Sequence, residues 1–187
     1  MTRITPILVA LVLLAPPLAA QTAVPSATAA TYGNWTVTCG AVAVAGAVPQ
    51  KLCQMTTKLN LKGNDGQVRP LLEIALGMPP GGDAPRIVVQ VPIDVALRDA
   101  LLVSVDAGTA GADPKPQTDL LTASYVACTT AGCIADAELK SDVIAAFKTA
   151  KITNVTFTAL AGAKKITVPV EMTGFGDAWA ALDLPSP

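Results

Sequence analysis

The chain has 187 residues, of which 51% are hydrophobic and only 14% charged, with 13 basic against 14 acidic side chains and no histidine. The balanced charge does not favour sequence-independent nucleic-acid binding, and the lack of histidine excludes Ser-His-Asp and Cys-His catalysis and imidazole metal sites. The length predicts one domain.

The N-terminal residues have the pattern of an export signal. Arg3 precedes an apolar stretch over residues 7–14, and small residues follow it. We expect residues 1–20 to be a signal peptide that is removed on export, because the apolar stretch is far shorter than the roughly 20 residues that span a bilayer. Residues 21–31, rich in Ala, Thr, Pro and Ser, are expected to form a flexible tether. The folded domain is therefore expected over residues 32–184, with no transmembrane segment in the mature chain.

From Tyr32 onward, apolar side chains recur at every second position, which predicts strands with one buried face. Turns rich in Gly, Pro and Asp separate these strands, as in a β-sandwich. Pro92 and Pro169 are each expected at a sheet edge, a bulge or a strand end, because proline cannot donate to a ladder. The positions predicted to face inward are Trp35, Val37 and Cys39; Cys53, Met55, Thr57, Leu59 and Leu61; Leu72, Ile74 and Leu76; Ile87, Val89 and Val91; Leu101, Val103 and Val105; Val155, Phe157 and Ala159; Ile166, Val168, Val170 and Met172.

Two short segments follow helical spacing instead. Ser141 can cap a helix that carries Val143 and Phe147 on one face. A second amphipathic stripe near the C-terminus consists of Phe175, Ala178, Trp179 and Leu182. We expect two short peripheral helices, the second packed over one end of the sandwich.

Four cysteines in an exported chain predict two disulfides. Pairing of neighbours is favoured: Cys39 and Cys53 lie on the inward faces of consecutive strands, and Cys128 and Cys133 bracket a turn-like insert. The alternatives are a zinc site, which would lack paired CxxC motifs and histidine, and a labile Cys128–Cys133 bridge with a strained short loop. We favour structural disulfides.

Three aspartates raise the question of a carboxylate site. Asp94, Asp99 and Asp106 could converge where strands end, but the chain has no D-x-D-x-D-G calcium loop. Asp106 is typical of a turn, and Arg98 with Asp99 is typical of a solvated pair between strands. No metal site is therefore predicted.

The aromatic side chains could either pack in the core or contact a ligand or partner. Trp35 lies on the inward face beside Cys39, which favours core packing over ligand stacking. Phe175 and Trp179 could dock a partner, although core packing is favoured for them also. We assign all three to structural positions.

Motifs along the chain resemble, in their order, those of the invasion-associated locus B family of bacterial envelope proteins. The residues that carry the resemblance are Tyr32-Gly33-x-Trp35-x-Val37-x-Cys39, Cys53-Gln54, Pro92-x-x-Val95-x-Leu97, Val103-x-Val105-Asp106-x-Gly108, Cys128-x-x-x-Gly132-Cys133 with Ala135, and Ile166-x-Val168-Pro169-Val170-x-Met172-x-Gly174-Phe175-x-x-Ala178. Relatives often have Ser-Leu-x-Gly-Phe where this chain has Glu171-Met172-Thr173-Gly174-Phe175, and glycine in place of Asp94.

The resemblance implies an all-β fold of the immunoglobulin-like sandwich type, with Gly132 and Gly174 at structural positions. It also implies export to the periplasm or the outer envelope surface, with no known enzymatic activity and no cofactor. The family takes its name from members in pathogens that invade blood cells, whereas many relatives belong to free-living bacteria.

The function expected is that of a non-enzymatic envelope protein acting through protein–protein contacts with an unidentified envelope or host protein. It would be accessory to host-cell invasion in a pathogen or to envelope integrity in a free-living bacterium. An alternative is a periplasmic small-ligand carrier, which would need an apolar cavity between the sheets. A hydrolase would need a Ser-Lys or carboxylate pair, and no such pair stands out.

Overall fold

A computed structural model describes residues 27–42, 50–63, 65–105, 118–182 and 184. The predicted signal peptide, Asp106 and the start of the predicted tether lie outside these residues. The described part is mostly β, as predicted, with two short helices. The strands are β1 (Ala27–Tyr32), β2 (Trp35–Val42), β3 (Gln50–Lys62), β4 (Val68–Gly77), β5 (Arg86–Val91), β6 (Leu101–Val105), β7 (Thr118–Thr129), β8 (Gly132–Glu138), β9 (Ile152–Ala159) and β10 (Lys164–Glu171).

All ten strands belong to one antiparallel sheet in the order β1-β2-β3-β4-β5-β8-β7-β6-β9-β10. The sheet curls into a half-barrel, so the immunoglobulin-like sandwich of two separate sheets is not confirmed. The alternation of apolar residues shows that each strand buries one face, but it does not reveal whether a second sheet or the same curled sheet covers that face.

Strand β7 connects the two halves of the sheet. Its first half pairs with β6 and its second half with β8, and the register shifts between Tyr125 and Ala127. An extra residue on one strand bends that strand and increases its twist. The irregularity therefore lies where the sheet passes from one half to the other.

The inner face of the sheet carries the core, largely at the positions that alternation predicts. Met55, Leu101 and Val155 are fully buried, on three different strands. Leu61 was predicted to face inward but is 55% exposed; it lies near the end of β3, where Asn60 and Lys62 are exposed as well. The extra residue at the nearby register shift is Leu71 on β4, so the shift leaves the alternation of β3 itself unchanged.

The ordered strands begin earlier than the sequence predicted. Residues 27–31, assigned to the tether, form β1 with Tyr32, and Ala27 pairs opposite Gly40 of β2. Residues 27–31 are exposed throughout, so an edge strand of this kind has no buried face and shows no hydrophobic period.

Both predicted helices are present, as α1 (Ser141–Thr149) and α2 (Phe175–Ala181). Ser141 is the first residue of α1 and not its cap, since Lys140 holds that position without a side-chain hydrogen bond. Instead, the carboxylate of Asp142 accepts a hydrogen bond from the Val143 amide at 2.9 Å. Helix α2 contacts α1, β1 and β2, so it covers the inner face at one end of the curled sheet. Neither described helix has the length and apolarity needed to cross a bilayer.

Candidate functional site

Aromatic rings fill the space between α2 and the sheet. The Trp35 and Phe147 rings each meet the Phe175 ring edge-on, with centroids 5.2 and 5.6 Å away. Trp179 stacks on the other side of Phe175 at 6.1 Å and is only half-buried. Trp35 and Phe175 therefore hold the core positions that the sequence predicted, whereas Trp179 lies at its margin.

The interior void beside these rings has a volume of about 10 Å³, roughly that of one water molecule. Its lining surface is apolar. Trp35 and Thr153 are among the lining residues, and their Nε1 and Oγ1 atoms are buried with no hydrogen-bond partner among the described residues. A small-ligand carrier needs a pocket of several hundred Å³. This void is too small for the ligand cavity that the carrier alternative requires.

The cysteines pair as predicted, Cys39 with Cys53 and Cys128 with Cys133. Each bond joins residues that lie directly opposite each other on neighbouring antiparallel strands, with Cα atoms 4.0 Å apart. Cys128 is exposed at its hairpin, whereas Cys133 is buried. Both bonds join adjacent strands, and no described cysteine is free.

The predicted glycines lie at close backbone approaches. A Cβ on Gly132 would lie 2.4 Å from the Val91 carbonyl oxygen, and one on Gly174 would lie 2.2 Å from that of Tyr32. Gly174 has a φ of +83°, in the left-handed region that favours glycine. Both glycines therefore have structural positions.

Of the three aspartates considered in the sequence, Asp94 and Asp99 lie within the described residues. Asp94 and Asp99 are exposed, and no group of three possible metal-binding His, Cys, Asp or Glu side chains occurs in the part of the chain that the structure describes. The negative charge of Asp99 instead acts on the pKa of Tyr125. Burial raises the pKa of the Tyr125 hydroxyl above its ordinary value of 10, and the negative charge of Asp99 raises it further.

An open groove of about 500 Å³ lies on the outer face of the sheet, across β2 to β5 and β8. We call it the outer groove. Gly40, Ala75 and Gly77 line it. The two glycines have no side chain and Ala75 has only a methyl group, which leaves room above the strands. Val42 and Leu52 of the β2–β3 hairpin and the loop after β4, which begins at residue 78, surround this space with apolar atoms.

One ion pair borders the outer groove. Arg86 donates from Nε and Nη2 to the Asp136 Oδ2 at 2.9 and 2.6 Å. Val88 lies next to this ion pair, because in the register it is opposite Asp136 of β8 on one side and opposite Ala75 of β4 on the other. The charges neutralise each other, so the groove is an apolar surface with one polar border.

A second recess lies where the two ends of the curled sheet face each other, along a line that we call the seam. At one end of the seam, the Asn34 amide donates to the Thr173 carbonyl at 3.0 Å, and the Asn34 side chain donates to Glu171 at 3.0 Å. We call this the closed end; it consists of Gly33, Asn34, Thr173 and Gly174.

Beyond the closed end, the seam opens into a recess of about 480 Å³, which we call the slot. Strand β3 forms one wall and strand β10 the other. The residues of the two walls are Thr57, Lys58 and Leu59 on β3, and Pro169, Val170 and Glu171 on β10. Pro169 lies on a strand at the edge of the sheet, as the sequence predicted.

Sequence reasoning identified neither recess. Arg86 and Asp136 are 50 residues apart and meet only because β5 pairs with β8. Lys58 and Glu171 share the slot only because the sheet curls. Pro169 predicted only that β10 lies at an edge, at a bulge or at a strand end, and it did not indicate a recess.

Comparisons with known proteins identify the family. Residues 35–183 match the family model described as "Invasion associated locus B (IalB) protein". The fold is similar to the crystal structure of invasion associated protein B from Bartonella henselae, with a TM-score of 0.62 and 21% identity over 83% of this chain and 94% of that chain. No curated protein matches the sequence.

Proposed function

The chain belongs to the invasion-associated locus B family, and from that membership we propose that it is an exported, non-enzymatic envelope protein that acts through contacts with another protein. Its role would be accessory to host-cell invasion in a pathogen or to envelope integrity in a free-living bacterium. Two disulfides support export, because such bonds persist in oxidising compartments.

The observation that carries the proposal is the outer groove. It combines an apolar floor with an exposed Val88 and a bordering ion pair. Protein interfaces combine an apolar centre with a polar rim in this way. We propose that the partner is an envelope or host protein that covers Val88.

Site-specific photocrosslinking tests this surface. A photoreactive residue replaces Val88 in the groove, and a second variant carries it at Leu160, which is exposed at the turn before β10. We expect one discrete crosslinked protein from position 88 in cells and none from position 160. Equal crosslinking from both positions, or none from position 88, would contradict the proposal.

Protease accessibility separates the two cellular roles. Cleavage on intact cells, with a periplasmic control protein left intact, would support contact with a host or another cell. Protection until the outer membrane is permeabilised would support an envelope role. Appearance of the protein only in the cytosolic fraction would contradict export.

A further inference from the structure

Both walls of the slot are strand edges. Strand β2 begins at Trp35, and its pairing with β3 ends at Thr36 opposite Thr56. Residues 57–62 of β3 continue beyond that point and pair only with β4 among the described residues. Strand β10 pairs with β9 and is the last strand of the sheet.

The hydrogen-bond register shows which backbone groups of β10 face the slot. The Met172 amide donates to the carbonyl of Lys151, the residue that precedes β9, and this bond continues the pairing of β10 with β9 by one residue. Antiparallel pairing alternates, so the backbone groups of Val170 and Val168 also face β9, whereas those of Glu171 and Pro169 face the seam. The seam-facing carbonyl of Thr173, two residues further along, accepts the Asn34 amide.

The same reasoning applies to β3. The carbonyl of Cys53 lies 2.8 Å from the position of a Cβ on Gly77, a residue of β4, so odd-numbered residues of β3 direct their backbone groups to β4. Lys58, before the register shift, directs its amide and carbonyl to the seam. Lys58 and Glu171 thus border the slot from opposite walls, each with an amide and a carbonyl that face it.

An unpaired strand edge is a template for another strand. We propose that the slot accepts an extended segment of a partner polypeptide as an added β-strand, which hydrogen-bonds to Lys58 on one wall and to Glu171 on the other. Each wall contributes three residues to the slot. Strands rise about 3.3 Å per residue, so a bound segment of about three to four residues matches the length of the walls. Strand addition is an established mode of peptide recognition.

Pro169 restricts this pairing. It lies on the seam-facing edge of β10 but has no amide to donate. The ladder of a partner strand is therefore centred on Glu171 and cannot extend along the whole of β10. This inference deepens the proposed function. It rests on that function in one respect, namely that the partner is a polypeptide.

Hydrogen exchange tests the accessibility of the edge in the free protein. The Glu171 amide should exchange at least tenfold faster than the amide of its neighbour Val170, which is paired with β9. Equal protection of the two amides would show that the edge is already paired and would overturn the inference.

Binding is tested with a library of eight-residue peptides in which Thr and Val alternate with random residues. At 1 mM total peptide, we expect exchange at Lys58 and Glu171 to slow at least tenfold, and exchange at Thr31 on the free edge of β1 to stay within twofold. The same library with alternate amides N-methylated should have no effect. No slowing at Lys58 and Glu171, or slowing at Thr31 alone, would overturn the inference.

Two substitutions at one position separate the backbone from the side chain. Glu171→Pro removes the seam-facing amide and should weaken peptide binding at least tenfold, whereas Glu171→Ala keeps that amide and should stay within twofold. Equal losses would assign binding to the carboxylate and overturn strand addition. If Glu171→Pro does not fold, the N-methylated library on the unchanged protein decides the matter.

Two further outcomes are separable. Concentration-dependent dimers that Glu171→Pro dissociates would show that a second copy of the chain fills the slot, against the partner polypeptide proposed. Crosslinking from position 88 without peptide binding at the slot would contradict the slot proposal alone. Absence of both the crosslink and the peptide binding would contradict the proposed function as well.

Discussion

The closed end and the slot lie on the same seam, a few residues apart, and differ in how closely the chain approaches itself. At the closed end, Gly33 and Gly174 let two backbone segments come so near that neither position has room for a side chain. At the slot, β2 has not yet begun, and β3 faces β10 across open space. The comparison shows that the curl of the sheet is fixed at one end of the seam and leaves strand edges open next to it.

The largest expected difference in the free energy of unfolding is between two aromatic positions next to the closed end. Phe175 begins α2 directly after Gly174 and is 1% exposed between Trp35 and Phe147. Phe175→Ala should lower the free energy of unfolding by about 4 kcal/mol, because it leaves a cavity among large rings. Trp179→Ala, at the half-buried margin of the same cluster, should cost about 1 kcal/mol. Urea denaturation measures both, and equal losses would show that the rings do not anchor α2.

A second contrast isolates backbone proximity. Gly174→Ala would bring a Cβ against the Tyr32 carbonyl, and we expect a loss of about 3 kcal/mol. Gly162→Ala is the matched control, because Gly162 has a similar φ of +72° but no atom within 4 Å of the Cβ position. The control should lose only about 1 kcal/mol, the cost of a left-handed alanine. If the two variants unfold at the same urea concentration, the closed end does not hold the seam together.

The sequence predicted the parts of this structure that depend on local pattern. Alternating residues such as Ile87, Val89 and Val91 identified strands because one face of each is buried. Export context and cysteine positions predicted both disulfides. The helices followed from apolar residues such as Val143 and Phe147 at helical spacing, although the cap of α1 was misplaced.

The sequence could not predict features that depend on strand order or on irregular register. Strand β7 shows no strict period, since the shift between Tyr125 and Ala127 moves its apolar residues from one face to the other. Whether separate sheets form or a single sheet curls depends on pairings between distant segments, such as β5 with β8 and β6 with β9. Both recesses arise from these pairings, so they have no local signature.

The two disulfides offer a smaller contrast. Cys39–Cys53 closes 14 residues of sequence and joins β2 to β3 just before β3 enters the slot, whereas Cys128–Cys133 closes only 5. Loop-closure entropy gives a stabilisation of about 3 kcal/mol for the first and about 2 kcal/mol for the second. Replacement of each pair by alanines should therefore show a difference of about 1 kcal/mol in chemical denaturation. A larger loss for Cys128 and Cys133 would contradict this order.

The smallest effect is expected at the slot itself. The Lys58 ammonium pairs with Glu73 at 3.0 Å, and the Lys58 side chain is 62% exposed. An exposed ion pair contributes little, because water and salt screen it. Lys58→Ala should change the free energy of unfolding by less than about 0.5 kcal/mol and should keep the exchange rate of the Glu171 amide unchanged. A loss above about 1 kcal/mol, measured against Lys148→Ala on the exposed side of α1, would show that this wall is part of the packed fold. A near-neutral result would leave the slot as a preformed surface whose open edges are separate from the contacts that stabilise the molecule.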